Sequence, residues 1–299
     1  MGATGKSVLI EFQNVSKHYG GQAAVSDLNL SVYEGEFFVL VGGSGSGKST
    51  TLRMINALTE PSEGNVYFRG KRIKDYPIRP LRHRIGYVLQ QIALFPTMTV
   101  AQNIGLMPDI LGWSKSARQA RIAELLELAG LPAAYAARYP HELSGGEQQR
   151  IGILRALAAK PDMLLMDEPF SALDPLSRRA LQDAIADIHR RLGTTIVFVT
   201  HDMQEALRLG CRIGVMEAGR LLQADTPAAV QHHPATPYVA SLFRHTQASV
   251  DNVLADIAKL SADEQRQLLA RWPAAQTQTA RPPRPIDKPA DARQPEETP

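Results

Sequence analysis

The chain has 299 residues, with 33 Lys and Arg against 30 Asp and Glu and a formal net charge of +3. That length supports a sizeable core, read as one large domain with an appendage, and so weak and interspersed a charge gives no argument for a nucleic-acid surface. One cysteine, Cys211, excludes an intramolecular disulfide, no apolar run reaches the roughly 18 residues a bilayer span needs, and "MGATGKSVLIEF" lacks the apolar core of a signal peptide.

Cys211 therefore reads as a small buried residue in a reducing compartment. The start "MGATGKS" has Gly2 but no Ser or Thr at the place a myristoylation signal requires, so no lipid anchor is expected and the chain reads as cytosolic.

Residues 8–40 alternate "VLIEFQNVS", "AAVSDLNLSVY" and "EFFVLV" with Gly and polar turns, which predicts a β-rich N-terminal lobe. Within it Tyr19, in "SKHYGG", offers a flat face for adenine, although exposed tyrosines are common. Directly after "FFVLV" comes "GGSGSGKS", which fits G-x-x-x-x-G-K-[ST] between a strand and a helix. There Gly42, Gly43, Ser44, Gly45, Ser46 and Gly47 let backbone N–H groups curl around phosphates. Lys48 reaches the β- and γ-phosphates, Ser49 offers its hydroxyl to Mg²⁺, and Thr50 and Thr51 extend the cradle.

The following helix is expected to end near "TEPSEG", and strands are expected in "NVYFRGKRI" and "RIGYVLQ". Gln90, closing the last of these, carries a neutral amide able to touch Mg²⁺ or an attacking water. From about 97 to 160 the pattern turns helical, a predicted insertion. It contains "HELSGGEQQRIG", where Ser144 as N-cap and Glu147 as N3 predict a capping box. Gly145 and Gly146 lower helix stability by roughly 1 kcal/mol each relative to Ala, and they leave bare N–H groups that attract an anion.

Two apolar runs, "MLLMD" and "TTIVFVTHD", flank a helical "PLSRRALQDAIADIHRRLG", which predicts buried parallel strands with ligands at their carboxyl ends. At that edge Asp167 can hold Mg²⁺ through water and Glu168 is assigned as the general base for an attacking water, the alternative being that the two acids are instead a solvated cap of the next helix. His201 belongs to the same edge and can contact a γ-phosphate, whereas an isolated strand-end histidine is commonly structural. "RIGVMEAGRLLQAD" reads as a hairpin turning at "EAG", and the domain closes near 243. Residues 244–272 carry a short amphipathic helical extension, and 273–299, with seven prolines, read as a disordered tail.

With "GGSGSGKST", "LQQIALFP", "LSGGEQQR", "LLMDEP", "SALD" and "THD" in this order, residues 8–243 resemble the ATPase subunit of an ABC transporter. The resemblance implies an α/β P-loop NTPase fold, a RecA-like, mostly parallel sheet with an N-terminal antiparallel β subdomain and an inserted α-helical subdomain. It maps Tyr19 to the adenine-stacking aromatic, Gln90 to the Q-loop and Ser144, Gly145, Gly146 and Glu147 to the signature motif. Asp174 falls in the D-loop and His201 is the switch histidine. ATP and Mg²⁺ are the implied ligands, bound between one P-loop and the signature of a second copy in a head-to-tail dimer. Glu147 stands where the family usually has Gln, and its capping role predicts near-normal turnover.

The resemblance further implies permease subunits that dock near Phe95, Pro96 and Met98, an indirect substrate-binding protein, no nucleic acid, and a peripheral place on the cytoplasmic face of a bacterial inner membrane. Within the family the motifs look most like importers of glycine betaine, carnitine and choline. Some 55 residues after Phe243 are too few for the CBS pair that many such ATPases carry. An importer of another amine or an amino acid is the runner-up. A soluble ABC ATPase acting on ribosomes or DNA fits less well, because it usually has two nucleotide domains or a long coiled-coil insertion.

Overall fold

In the computed structural model, β1 (Val8–Tyr19) and β2 (Gln22–Tyr33) form a hairpin closed by Gly20 and Gly21 at φ 54° and 84°. Positive φ at both central residues is what a type I′ turn requires. The structure describes residues 7–91 and 93–243, so the expected extension at 244–272 and tail at 273–299 lie outside the described residues. β3 (Phe37–Val41) leads into α1 (Lys48–Ile55), and β4 (Glu63–Phe68) and β5 (Lys71–Arg72) make a second short hairpin. β2, β1, β4 and β5 lie side by side in one antiparallel sheet.

The chain then passes through α2 (Ile78–His83), β6 (Ile85–Val88), α3 (Val100–Ile110), α4 (Lys115–Leu128) and α5 (Gly145–Leu157). After these come β7 (Met163–Asp167), α6 (Pro175–Leu192), β8 (Thr195–Thr200) and α7 (Met203–Leu209). β9 (Arg212–Glu217), β10 (Arg220–Asp225) and α8 (Pro227–His232) follow. The second sheet runs β10-β9-β3-β8-β7-β6 and is parallel except for β10, which pairs antiparallel with β9.

Period-two side chains explain why its central strands read as unbroken apolar runs. Phe37, Val39 and Val41 enter a core shared with α3, α4, α5 and α6, whereas Phe38 and Leu40 enter one shared with α1 and the antiparallel sheet. β7 and β8 split the same way, Leu164, Met166, Ile196 and Phe198 to one side, Met163, Leu165, Val197 and Val199 to the other. Both faces of the parallel sheet are thus covered, and only the ends of the strands remain for binding.

Three local expectations change. α1 ends at Ile55, short of "TEPSEG", because Ala57 takes φ 55° and Arg53 O accepts from both Leu58 N and Thr59 N, closing the helix end. Cys211 is exposed rather than buried, since it sits in the turn between α7 and β9, its N–H donated to Phe37 O. The short helices α2, α7 and α8 interrupt stretches in which the sequence pattern gave no helix.

The β9–β10 hairpin does turn at "EAG": Glu217 pairs with Arg220 around Ala218 and Gly219, at φ 45° and 80°. Alanine is strained in this left-handed region by roughly 1 kcal/mol, where asparagine is tolerated. Ala218→Asn is expected to raise stability by about 0.5–1 kcal/mol, read as a higher urea midpoint at unchanged m. A lower midpoint would show that the methyl packing outweighs the backbone strain.

Candidate functional site

The register of three strands builds the site. Val41 pairs with Thr200 and Asp167 with Val199, so the loop after β3, the acids ending β7 and the histidine after β8 share one sheet edge. A cleft of about 670 Å³ opens there, lined by Tyr19, Ala24, Ser44, Gly45, Ser46, Gly47, Lys48, Ser49, Thr50, Gln90, Glu168 and His201. Tyr19, Gln90, Glu168, His201 and the loop from Ser44 to Thr50 are thereby gathered in one place, whereas Gly42, Gly43, Thr51 and Asp167 are not part of the lining.

Close backbone approach dictates the loop's glycines. A Cβ on Gly42 would lie 2.1 Å from Met216 O, and one on Gly47, at φ 98°, would lie 2.5 Å from Ala24 O. The loop is thus clamped between β2 and β9. Lys48 is buried, and its ammonium donates to Gly42 O and Gly43 O at 2.8 Å and to Ser46 Oγ at 3.3 Å, using all three donors. Burial holds Lys48 below the usual lysine range, while Glu168 and Asp167 pull it back up. Thr51 departs from expectation: it is 1 % exposed, its hydroxyl donates to Gly47 O, and it packs inward instead of extending the cradle.

Ser49 Oγ donates to Asp167 Oδ1 at 2.8 Å, which places a hydroxyl and a carboxylate where a hard cation would find oxygen donors. Next to them Glu168 has φ 45°, a left-handed conformation that costs a non-glycine residue roughly 1–3 kcal/mol. It is held there because its N–H donates to Val199 O and its carbonyl accepts from Ser171 N and Ser171 Oγ. The twist carries the side chain into the cleft, where Glu168 Oε2 meets His201 Nδ1 at 3.1 Å. With the proton on Nδ1, the ring donates to the carboxylate and leaves Nε2 outside that contact.

Tyr19 is 51 % exposed and carries the Lys17 ammonium 5.1 Å from its ring centroid. One contact has no signal in the sequence: Gly43 N donates to Tyr238 Oη at 3.2 Å across 195 positions. Only folding brings that tyrosine to the loop.

The N-terminus of α5 lies outside the cleft lining. Ser144 is the N-cap and Glu147 the N3 residue of a capping box, as the spacing predicts: Glu147 N donates to Ser144 Oγ, and Glu147 Oε2 accepts from Ser144 N and Ser144 Oγ at 2.8 Å. Tyr135 Oη donates to the other carboxylate oxygen at 2.6 Å, and together these bonds, Tyr135 first, hold Glu147 below the usual carboxylate range. The two glycines differ. Space around a Gly145 Cβ is open, whereas a Gly146 Cβ would lie 3.1 Å from Ser177 Cβ, so Gly146 also lets α6 approach. Asp174 caps that helix, accepting from Leu176 N and Ser177 N, and is likewise outside the cleft.

The residues 25–171 match the model of the ABC transporter family. The chain is 51% identical over 242 residues to a glycine betaine uptake system ATP-binding protein, YehX, of Escherichia coli K12, covering 81% of this chain and 79% of that one. It is 50% identical over 232 residues to the choline transport ATP-binding protein OpuBA of Bacillus subtilis 168, covering 77% of this chain and 61% of that one, less than two thirds of its length. Among solved structures, a dimeric post-hydrolysis state of the ATP-binding cassette MJ0796 bound to ADP and Pi superposes with a TM-score of 0.65 at 34% identity, over 73% of this chain and 99% of that one.

Tyr135→Phe is expected to destabilise the α5 start by about 1 kcal/mol at neutral pH. Because the Glu147 carboxyl is depressed in the fold, this stabilisation is present above the ordinary carboxylate range and fades as pH falls through the folded-state value. Urea unfolding of both proteins at neutral and acid pH checks this; a difference that persists unchanged in acid removes the Glu147 contact as its source.

Proposed function

The chain belongs to the ATP-binding subunits of ABC transporters, and from that membership we propose that it hydrolyses ATP to power import of an osmoprotectant quaternary amine through a separate permease. About 50% identity to ATP-binding proteins named for glycine betaine and choline transport carries the solute class. An amino-acid or other amine importer is the alternative.

Tyr19 stacks on adenine, and the N–H groups of the Gly-rich loop cradle the phosphates. Lys48 exchanges its loop carbonyls for β- and γ-phosphate oxygens. The Ser49 hydroxyl, the Asp167 carboxylate acting through water and the Gln90 amide suit Mg²⁺, which keeps most of its coordination for water and phosphate. When bound, Mg²⁺ supplies positive charge against the phosphate oxygens. Glu168 takes a proton from the attacking water, and His201 orients Glu168 and meets the γ-phosphate.

A second copy completes the site head to tail. Ser144, Gly145 and Gly146 at the α5 N-terminus, with Asp174, reach the ATP held by the partner's loop, consistent with their place outside their own cleft. Charged hydrogen bonds to the γ-phosphate are worth roughly 1.5–3 kcal/mol each. Three or four of them span the roughly 5.5 kcal/mol that switches a two-state equilibrium, so ATP closes the dimer and hydrolysis opens it.

No helix among the described residues is long and apolar enough to cross a membrane, and the proposed location is peripheral, on the cytoplasmic face and bound to the permease, which a substrate-binding protein supplies with solute. Phe95, 45 % exposed, lines a groove of about 370 Å³ with Leu106, Met107 and Arg155, between β6 and the helical region. That groove is the permease contact; Pro96 is exposed beside it and Met98 lines the neighbouring groove along α3 and α4.

Glu168→Gln is expected to bind ATP and form a stable dimer while turnover falls at least a hundredfold, read by size exclusion and phosphate release; full turnover would sink the base assignment. Phe95→Ala is expected to keep nucleotide binding but lose co-purification with the permease. The solute is tested by reconstituting the complex and comparing uptake of labelled glycine betaine, choline and amino acids. Amino-acid uptake alone would overturn the quaternary-amine reading.

A further inference from the structure

His201 has a side chain 61 % exposed, yet its two neighbours in the chain are tied together beneath it. Thr200, the last residue of β8, is 2 % exposed and donates its hydroxyl to Glu205 Oε2 at 2.6 Å. The same hydroxyl oxygen accepts the Asp202 N–H at 3.0 Å. Asp202 Oδ1 in turn accepts from Gln204 N at 2.7 Å and Glu205 N at 3.4 Å, so the hydrogen-bonded ring Thr200–Glu205–Asp202 closes around His201.

Glu205 is 6 % exposed, a buried carboxyl group that the proposed chemistry does not use. Its second oxygen faces Gln182 Nε2 on α6 at 3.5 Å, the outer limit of a hydrogen bond, and Arg178 on the same helix approaches Asp202 at 3.9 Å. The helix that Asp174 caps is thereby tied to the loop carrying His201. Burial raises Glu205 above the usual carboxylate range, so its ionised form is disfavoured in the fold. A neutral amide removes that penalty, and Glu205→Gln is expected to leave stability unchanged or higher.

We propose that Glu205 is a positioning residue: through the Thr200 hydroxyl it holds the peptide that follows His201 so that Nδ1 faces Glu168, and through Gln182 it links that loop to α6. This rests on the roles given above to Glu168 and His201. Glu205 is not among the residues lining the cleft and reaches it only through Thr200; its effect is on aim, and small displacements of a reacting group are expensive in rate, roughly a hundredfold for 1 Å.

The test measures steady-state ATP hydrolysis, binding of a fluorescent nucleotide and thermal unfolding for the full chain. Thr200→Val and Glu205→Leu are expected to lower kcat roughly tenfold or more with nucleotide affinity within about twofold, while Thr200→Ser and Glu205→Gln, which keep a hydroxyl and an acceptor, stay within about threefold of the parent. The double change Thr200→Val with Glu205→Leu is expected to be no slower than the slower single change, because both cut one chain of bonds. Thr200→Val carries the test if Glu205→Leu does not fold. A Thr200→Val protein with parental kcat, or one whose nucleotide affinity and unfolding midpoint fall in step with kcat, overturns the proposal. His201→Ala run alongside separates the two readings: inactivity there with full activity in Thr200→Val defeats the positioning role alone, and full activity in His201→Ala defeats the histidine's role beneath it.

Discussion

Three parallel strands ending in register set everything that happens at the cleft. β3 stops at Val41, β7 at Asp167 and β8 at Thr200, with Val41 paired to Thr200 and Asp167 to Val199. Neighbouring strands lie about 4.8 Å apart, so a glycine-rich loop, a carboxylate pair and an imidazole arrive within reach of one another without any long side chain bridging them. The pairing tolerates no slip, because a one-residue shift would exchange the two buried faces, sending Phe38 and Leu40 into the space of Phe37 and Val39. Burial on both sides is therefore what guarantees the geometry of an edge exposed to water.

Much of this was legible in the sequence because its signals are local. A glycine-rich loop between an apolar run and a helix, acids closing "MLLMD", and Ser144 three residues ahead of Glu147 each state their own geometry. What escaped depends on contacts between distant segments or on backbone states that residue type does not announce. Ala57 and Ala218 occupy left-handed positions that would normally be assigned to glycine or asparagine. Thr51 follows two loop-facing residues, but helix periodicity turns it inward to Gly47, and Tyr238 meets the loop only through the fold. Cys211 looked like a core residue by composition, and its exposure follows from lying in a turn.

Glu147 shows how a charge at a glycine-rich helix start can be kept out of the way. Both carboxylate oxygens are engaged, one by Tyr135 and one by Ser144, and the Arg138 guanidinium lies 4.0 Å from the Tyr135 ring centroid. The negative charge is thereby directed back into the first turn, where it complements the helix dipole. Gly146, meanwhile, is already required by the approach of Ser177, so packing alone accounts for one of the segment's two glycines.

The central place of β3 has a consequence for the newly made chain. Both of its partners, β8 and β9, begin more than 150 residues downstream of it, whereas the β1–β2 hairpin closes over a two-residue turn. At a synthesis rate of roughly 5–20 residues per second, five consecutive apolar residues wait about 8–30 seconds for their neighbours. The β lobe can assemble early from local contacts, but the edge that would hold nucleotide can be completed only after β8 and β9 have been made. During that interval "FFVLV" has no strand to pair with, and a nascent chain held up before residue 195 would carry the glycine-rich loop on a β3 that lacks both of its partners.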